Sequence, residues 1–309
     1  MESVQSAEVQ NKILIKRVSI RPLLISLRPY QWIKNFLVFG GLIFSISLFN
    51  WTIALRSIVA FIAFCFASSS VYLLNDLRDV EEDKLHPSKR LRPLAAGTLN
   101  TGIAITFMFL LFFSSAILSW LLDPKFAGIV LTYFIMNIAY SLGLKKMVIV
   151  DVMIVSAGFL LRALAGCVVI GVKLSPWLFL CTMLLALLMG FGKRRHEINF
   201  LQNEAHNHRK NLTEYSVPLL DTMMTICGAT AIATYALYTM ADETIAHFGS
   251  NWLVLTTPFV LYGIFRYFYL VHQKDGGGDP TKLLVADMPS LINICIWVIC
   301  VCVIIYGKL

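Results

Sequence analysis

Residues 75–97, NDLRDVEEDKLHPSKRLRPLAAG, crowd carboxylates and cations between two runs of nearly pure hydrocarbon. Placing an ionisable group at membrane depth costs about 2.5–3.5 kcal/mol or more, so a charged cluster flanked by lipid-soluble helices marks a working site. Asp76, Asp79 and Asp83 stand at i, i+3 and i+7, a spacing that puts three carboxylates on one helical face within about 60°. Like charges this close repel unless a cation holds them. Hard oxygen donors without Cys or His suit Mg²⁺, which binds through a few carboxylates together with phosphate oxygens of a ligand. Asn75 opens the run, and Lys89, Arg90 and Arg92 close it. Arg offers bidentate contacts and Lys a compact charge, the pair a phosphate-rich ligand needs. An ordinary solvated loop is the alternative, but it has no reason to keep its acids on one face.

Three more stretches carry chemistry of the same kind. YSLGLKKMVIVDVMIVSAGFLLRALAG supplies Tyr140, Lys145, Lys146 and Asp151, and then Asp151, Gly158 and Arg162 recur at i, i+7 and i+11. That spacing keeps acid and cation on one face about 16 Å apart. Asp151 is placed to bind metal or orient Lys145. Arg162 should point into the bundle, toward a ligand or an acid of another helix. GFGKRRHEINF adds Lys193 and Arg194 as phosphate contacts, while Arg195, Arg209 and Lys210 fit equally well as residues of a cytoplasmic loop. His206 and His208 have no partners at metal-ligand spacing, and the NLT sequon at 211 falls on the cytoplasmic side of the topology below. KDGGGDPTKLLVADMP sets three glycines among Asp275, Asp279 and Asp287, letting the backbone approach an anion closely. Earlier in the chain, QWIKN presents Lys34 and Asn35, either as anion contacts or as anchors beside Trp32.

The elements that must position these residues are membrane helices. With 58% hydrophobic and 14% charged residues and a mean hydropathy of +0.73, the 309-residue chain belongs in a bilayer. Runs long enough to cross the hydrocarbon lie at 33–50, 53–74, 101–122, 126–142, 148–170, 177–192, 217–240, 251–271 and 289–307. The expectation is an all-α bundle of nine transmembrane helices, with the first, fourth and sixth short for a full span. With Lys34 counted at the mouth of the first run and Arg266 with the loop after the eighth, all Lys and Arg except Arg56, Lys125, Arg162, Lys173 and Lys308 fall before the first run or after the second, fourth, sixth and eighth. The positive-inside rule then makes the amino terminus cytoplasmic and gathers every chemically rich stretch on that side. One cytoplasmic pocket among the helix ends follows. The net charge of +8 reflects this bias and an anionic ligand, and gives no reason to expect nucleic acid. Residues 1–32 lack the short apolar core of a cleavable signal peptide and suit the membrane interface. Residues 33–309 form a single domain without a linker. The seven cysteines all sit in apolar runs without redox or ligand spacing, as small packing residues.

The NDLRDVEED pattern after the second run, with YSLGLKK and Asp151 after the fourth, resembles the UbiA family of intramembrane prenyltransferases. More narrowly, DVEEDKLHPSKRLRPLAAG, GFLLRALAG, GKRRHE and DGGGDPT resemble its decaprenyl-phosphate phosphoribosyltransferase branch. The resemblance covers nearly the whole chain. It implies a Mg²⁺-diphosphate site between the two motifs, with Asp76, Asp79 and Asp83, joined by Asp151, as catalytic acids. It also implies a lateral opening for a polyprenyl tail, and transfer of 5-phosphoribose from phosphoribosyl pyrophosphate to a polyprenyl phosphate at the inner face of the cell membrane for envelope glycans. Lys34, Asn35, Asn75, Lys89, Arg90, Arg92, Tyr140, Lys145, Arg162, Lys193 and Arg194 are the expected substrate contacts, and self-association is left open. The second motif departs from the paired acids common in aromatic prenyltransferases, offering Lys145, Lys146 and one acid, which fits a ligand with extra phosphates. Two other readings stay open: prenyl transfer from a diphosphate to an aromatic or lipid acceptor, and a transporter or channel. Against the last, these charges gather at helix ends rather than along a path across the bilayer.

Overall fold

The computed structural model describes residues 20–201, 214–274 and 276–307. The expectations at His206, His208, Arg209, Lys210, the sequon, Asp275 and most of the interfacial segment 1–32 lie outside them. The described residues are helical with no strand. They form α1 (Arg21–Leu27), a 3-10 segment (Pro29–Phe39), α2 (Gly40–Phe44), α3 (Trp51–Arg78), α4 (Val80–Leu85), α5 (Thr101–Leu122), α6 (Pro124–Leu142) and α7 (Val150–Val169). After these come α8 (Pro176–Leu201), α9 (Val217–Met240), α10 (Asp242–Phe248), α11 (Thr257–Gln273), α12 (Pro280–Ala286) and α13 (Met288–Gly307).

Several of the long helices start on side chains chosen for that job. Asn50 accepts from the Ile53 amide at 3.3 Å, Asn100 from Gly102 at 2.8 Å, Asp123 from Lys125 at 2.6 Å and Ser216 from Leu219 at 3.3 Å. These caps satisfy amides that would otherwise be orphaned, and Pro124 and Pro218 follow two of them where no amide is needed. The central element is α3, with 61% of its most apolar stretch buried, whereas α5 is 11% buried and turns its large side chains outward. Hydrocarbon gives helices no reason to associate through apolar area alone, so small and polar contacts join them. Ser70 donates to the Met108 carbonyl at 2.9 Å and Ser115 to that of Ala63 at 2.8 Å, tying α3 to α5.

Eight helices among the described residues are long and apolar enough to cross a membrane. Of the nine expected spans, the first, 33–50, is not among them. The run 33–50 is not one α-helix but the 3-10 segment, α2 and a turn at 45–50. Its backbone is dictated by contact with α7. Gly166 leaves room for the Val38 carbonyl, which any Cβ there would overlap, and a Cβ on Gly41 would lie 3.1 Å from the Cys167 Cα. The 3-10 segment (Pro29–Phe39) rises about 2.0 Å per residue rather than the 1.5 Å of an α-helix. The expected run 177–192 also differs, since α8 carries on through GKRRHEINFL and delivers Lys193 and Arg194 from a rigid helix.

Candidate active site

At one end of the bundle, α3 continues from its apolar stretch into the charged one as far as Arg78 and bends at Asp79, with φ −93° and ψ 15°, before α4. Asp76 and Asp83 stay on one face: the Arg92 Nη1 donates to Asp76 at 3.1 Å and to Asp83 at 2.6 Å, and both carboxylates are buried. The bend turns Asp79 elsewhere, to the Lys145 Nζ at 3.0 Å. The expectation of three acids sharing one face therefore holds for two of them and fails for the third. Asn75, one residue before Asp76, accepts from Ser141 at the end of α6. These contacts join α3, α6 and the turn 144–146 at a single end of the molecule.

Asp151 enters from the first turn of α7 and is fully buried. It accepts from Arg194 Nε at 2.6 Å and from the Tyr215 hydroxyl at 2.9 Å, and Tyr215 in turn accepts from the Ile149 amide at 2.5 Å. Burial pushes the Tyr215 hydroxyl up to about 12, so it stays a donor to the carboxylate. Arg194 also pairs with Glu197 and reaches the Tyr140 hydroxyl at 3.3 Å. Lys193, one residue earlier, is half-exposed, 4.0 Å from Glu197.

Deeper in the bundle, Arg162 donates to Asn35 Oδ1 at 2.7 Å, to the Gly158 carbonyl at 2.5 Å and to the Tyr133 hydroxyl at 3.1 Å. Its guanidinium lies 4.9 Å over the Tyr133 ring. It has no acid partner among the described residues. Asn35 also donates to Ser68 at 3.3 Å, locking the 3-10 segment to α3. Trp32, half-buried, donates to Ser69 at 3.0 Å. Arg90 is exposed and apart from this network, and Lys89 is half-buried at its edge.

Residue spacing did not single out Arg28, which pairs with Asp76 and lies 4.9 Å over the Tyr72 ring. Its backbone is left-handed, φ 53°, at the joint between α1 and the 3-10 segment. Such geometry is rare for a non-glycine residue, rarer still before Pro29, and strain of this kind gathers at functional sites. Glu197 was legible, at i+3 from Arg194 and i+4 from Lys193; Tyr215 carried no spacing signal. The glycine-rich turn does reach the site, with Asp279 accepting from Gln31 at 3.1 Å and Gly277 against Gly192. Asp287 does not belong to it. Hydrogen bonds from Arg266 above all hold its carboxyl well below the usual range and fasten α11 to the start of α13.

Among the described residues no group of three His, Cys, Asp or Glu side chains is arranged to hold an ion. The donors nonetheless suit a hard cation. Arg92 already seats one positive group between the oxygens of Asp76 and Asp83, and an all-oxygen pair beside further cations is the setting of Mg²⁺ with a phosphate ligand.

Comparison with known proteins gives this geometry its context. The chain is 34% identical over 289 residues to the decaprenyl-phosphate phosphoribosyltransferase of Mycolicibacterium smegmatis, covering 89% of this chain and 90% of the relative. The Corynebacterium glutamicum protein of the same name is also 34% identical, over 91% of this chain and 86% of its own. Among solved structures, a UbiA homolog from Archaeoglobus fulgidus bound to GPP and Mg²⁺ superposes with a TM-score of 0.68 at 18% identity, covering 92% of this chain and 99% of that one. Residues 35–288, from the Asn35 that holds Arg162 to the start of the last helix, match a single family description, and the chain belongs to the UbiA prenyltransferase family.

Proposed function

We propose that the protein transfers 5-phosphoribose from phosphoribosyl pyrophosphate to a polyprenyl phosphate of the decaprenyl type, releasing pyrophosphate. The observation that carries this reading is identity of 33–34% to decaprenyl-phosphate phosphoribosyltransferases along about nine-tenths of both chains. The cations of the second half, Lys145, Lys193 and Arg194, support it, because a donor with a diphosphate and a separate phosphate carries more negative charge than a prenyl diphosphate. The protein is a multi-pass membrane protein. We place the site at the cytoplasmic face of the cell membrane, where the Lys and Arg excess gathers, and the product in the supply of envelope glycan precursors.

Asp76 and Asp83, joined by Asp79, are the residues to hold Mg²⁺, which when bound neutralises charge on the departing pyrophosphate. Arg28 and Arg92 both turn a guanidinium group on Asp76, and Arg92 reaches Asp83 as well, so these groups can be shared with phosphate oxygens. Lys145, Lys193 and Arg194 bring further cations to the mouth of the site. Asp151, fully buried and bonded to Arg194 and Tyr215, acts through Arg194 by fixing its position. In the reaction the C1–O bond to pyrophosphate breaks and a bond from C1 to a lipid phosphate oxygen forms. The attacking phosphate is already an anion near neutral pH, so no general base is required, in keeping with acids that are all paired with cations. Positioning and charge stabilisation remain as the catalytic terms.

The test is direct. Detergent-purified protein with Mg²⁺ receives labelled phosphoribosyl pyrophosphate and a polyprenyl phosphate, and in parallel a prenyl diphosphate and 4-hydroxybenzoate. Labelled lipid and pyrophosphate in the first reaction are expected. Product in the second alone would replace this reading with conventional prenyl transfer, the chemistry toward which the GPP-bound Archaeoglobus fulgidus structure leans.

A further inference from the structure

Nearly every cation around the acids has a carboxylate partner. Arg28 meets Asp76, Arg92 meets Asp76 and Asp83, Lys145 meets Asp79, Arg194 meets Asp151 and Glu197, and Lys193 approaches Glu197. Two interior cations break this pattern. Arg162 is 5% exposed and bonded only to neutral oxygens, and Lys34 is half-buried with no hydrogen bond or ion pair among the described residues. The two lie within electrostatic reach of each other. Among the described residues, Lys193, Asp279 and Arg28 act on Lys34 as well.

The fold imposes this arrangement. Lys34 precedes Asn35, whose carbonyl oxygen is bonded to Arg162 Nε and whose amide is bonded to Ser68. The same 3-10 segment presses its Val38 carbonyl onto Gly166 of α7. Lys34 therefore cannot drift away from Arg162 without parting two backbones. An uncompensated charge inside a membrane protein is destabilising and is retained where a ligand of opposite charge completes it. Lys34, rather than the more deeply enclosed Arg162, has the exposure to touch that ligand.

We infer that Lys34, backed by the fixed charge of Arg162, is the seat of a phosphate monoester, separate from the acid cluster that serves the diphosphate. The inference rests on the phosphoribosyl transfer proposed above. In that reaction two groups have this chemistry: the 5-phosphate of the donor and the phosphate of the acceptor lipid. Lys34 is then what makes a third phosphate group count, and a prenyl diphosphate has none to offer it.

The experiment compares wild type, Lys34→Gln and Lys34→Arg with phosphoribosyl pyrophosphate and with ribosyl 1-pyrophosphate, which lacks the 5-phosphate, across a range of polyprenyl phosphate. Removing one charge-assisted contact should cost about 10- to 100-fold. If the donor's 5-phosphate sits on Lys34, the wild-type preference for phosphoribosyl pyrophosphate shrinks by that factor in Lys34→Gln, with no loss on ribosyl 1-pyrophosphate, and Lys34→Arg restores most of it. If the lipid phosphate sits there, the preference stays and the KM for polyprenyl phosphate rises by the same factor. An equal loss on both donors with unchanged lipid KM, or no loss at all, overturns the inference. Absence of phosphoribosyl transfer by the wild type would instead sink the proposed function. Retention of wild-type affinity for polyprenyl phosphate by Lys34→Gln, measured by binding without turnover, would then remove the remaining support for a phosphate seat.

Discussion

Replacing Arg194 by Met should damage the fold more than replacing Asp151 by Asn, although the two side chains form one ion pair. The pair is enclosed, with side-chain exposures of 4% and 0% and an N–O separation of 2.6 Å. After Arg194→Met the Asp151 carboxylate remains, held by Tyr215, and breaking a buried pair in this way costs about 3–5 kcal/mol. After Asp151→Asn the guanidinium still has Glu197 and Tyr140, and an amide can still accept from it, so the loss is that of one weakened hydrogen bond, about 1–2 kcal/mol. At roughly 2 °C per kcal/mol for a chain of this size, the first variant melts about 6–10 °C below wild type and the second about 2–4 °C below. The double variant Arg194→Met/Asp151→Leu removes both charges and should recover part of what Arg194→Met loses. Fluorescence-detected melting of detergent-purified protein reads all three. Equal melting points for the single variants, or a double variant no more stable than Arg194→Met, would refute this account of Asp151 as a group whose charge depends on Arg194.

Asp76→Asn should nearly abolish pyrophosphate release while lowering the melting point by only about 2–4 °C, as for Asp151→Asn, because Arg28 and Arg92 keep an amide oxygen to bond; retained turnover in purified protein with Mg²⁺ contradicts its assignment. Chelation by EDTA should stop phosphoribosyl transfer and added Mg²⁺ restore it, followed by labelled product on thin-layer plates, and turnover that persists in EDTA would remove the metal. Gly166→Ala should cost about 1–3 kcal/mol or more, since its methyl group overlaps the Val38 carbonyl; a melting point equal to wild type would show that the 3-10 segment is free to move off α7.

The chain's own order of residues was enough for the all-helical membrane class, because long apolar runs have no other stable form in hydrocarbon. It also singled out one charged end as the candidate site, because acids and cations at spacings of three, four and seven residues can be read before any contact is known. Asp76 with Asp83, and Glu197 with Arg194, are legible in that way. What it could not reveal is which partners these groups choose. Asp79 leaves the shared face through one bent residue and meets Lys145, 66 positions away. Arg28 reaches Asp76 from a left-handed joint that no periodicity announces. The 33–50 run has the composition of a span, yet its backbone became a 3-10 segment because Gly166 and Gly41 let it press against α7. Local spacing is fixed by the helix, whereas ion pairing across 43 to 66 residues depends on how helices cross, and only the folded bundle decides that.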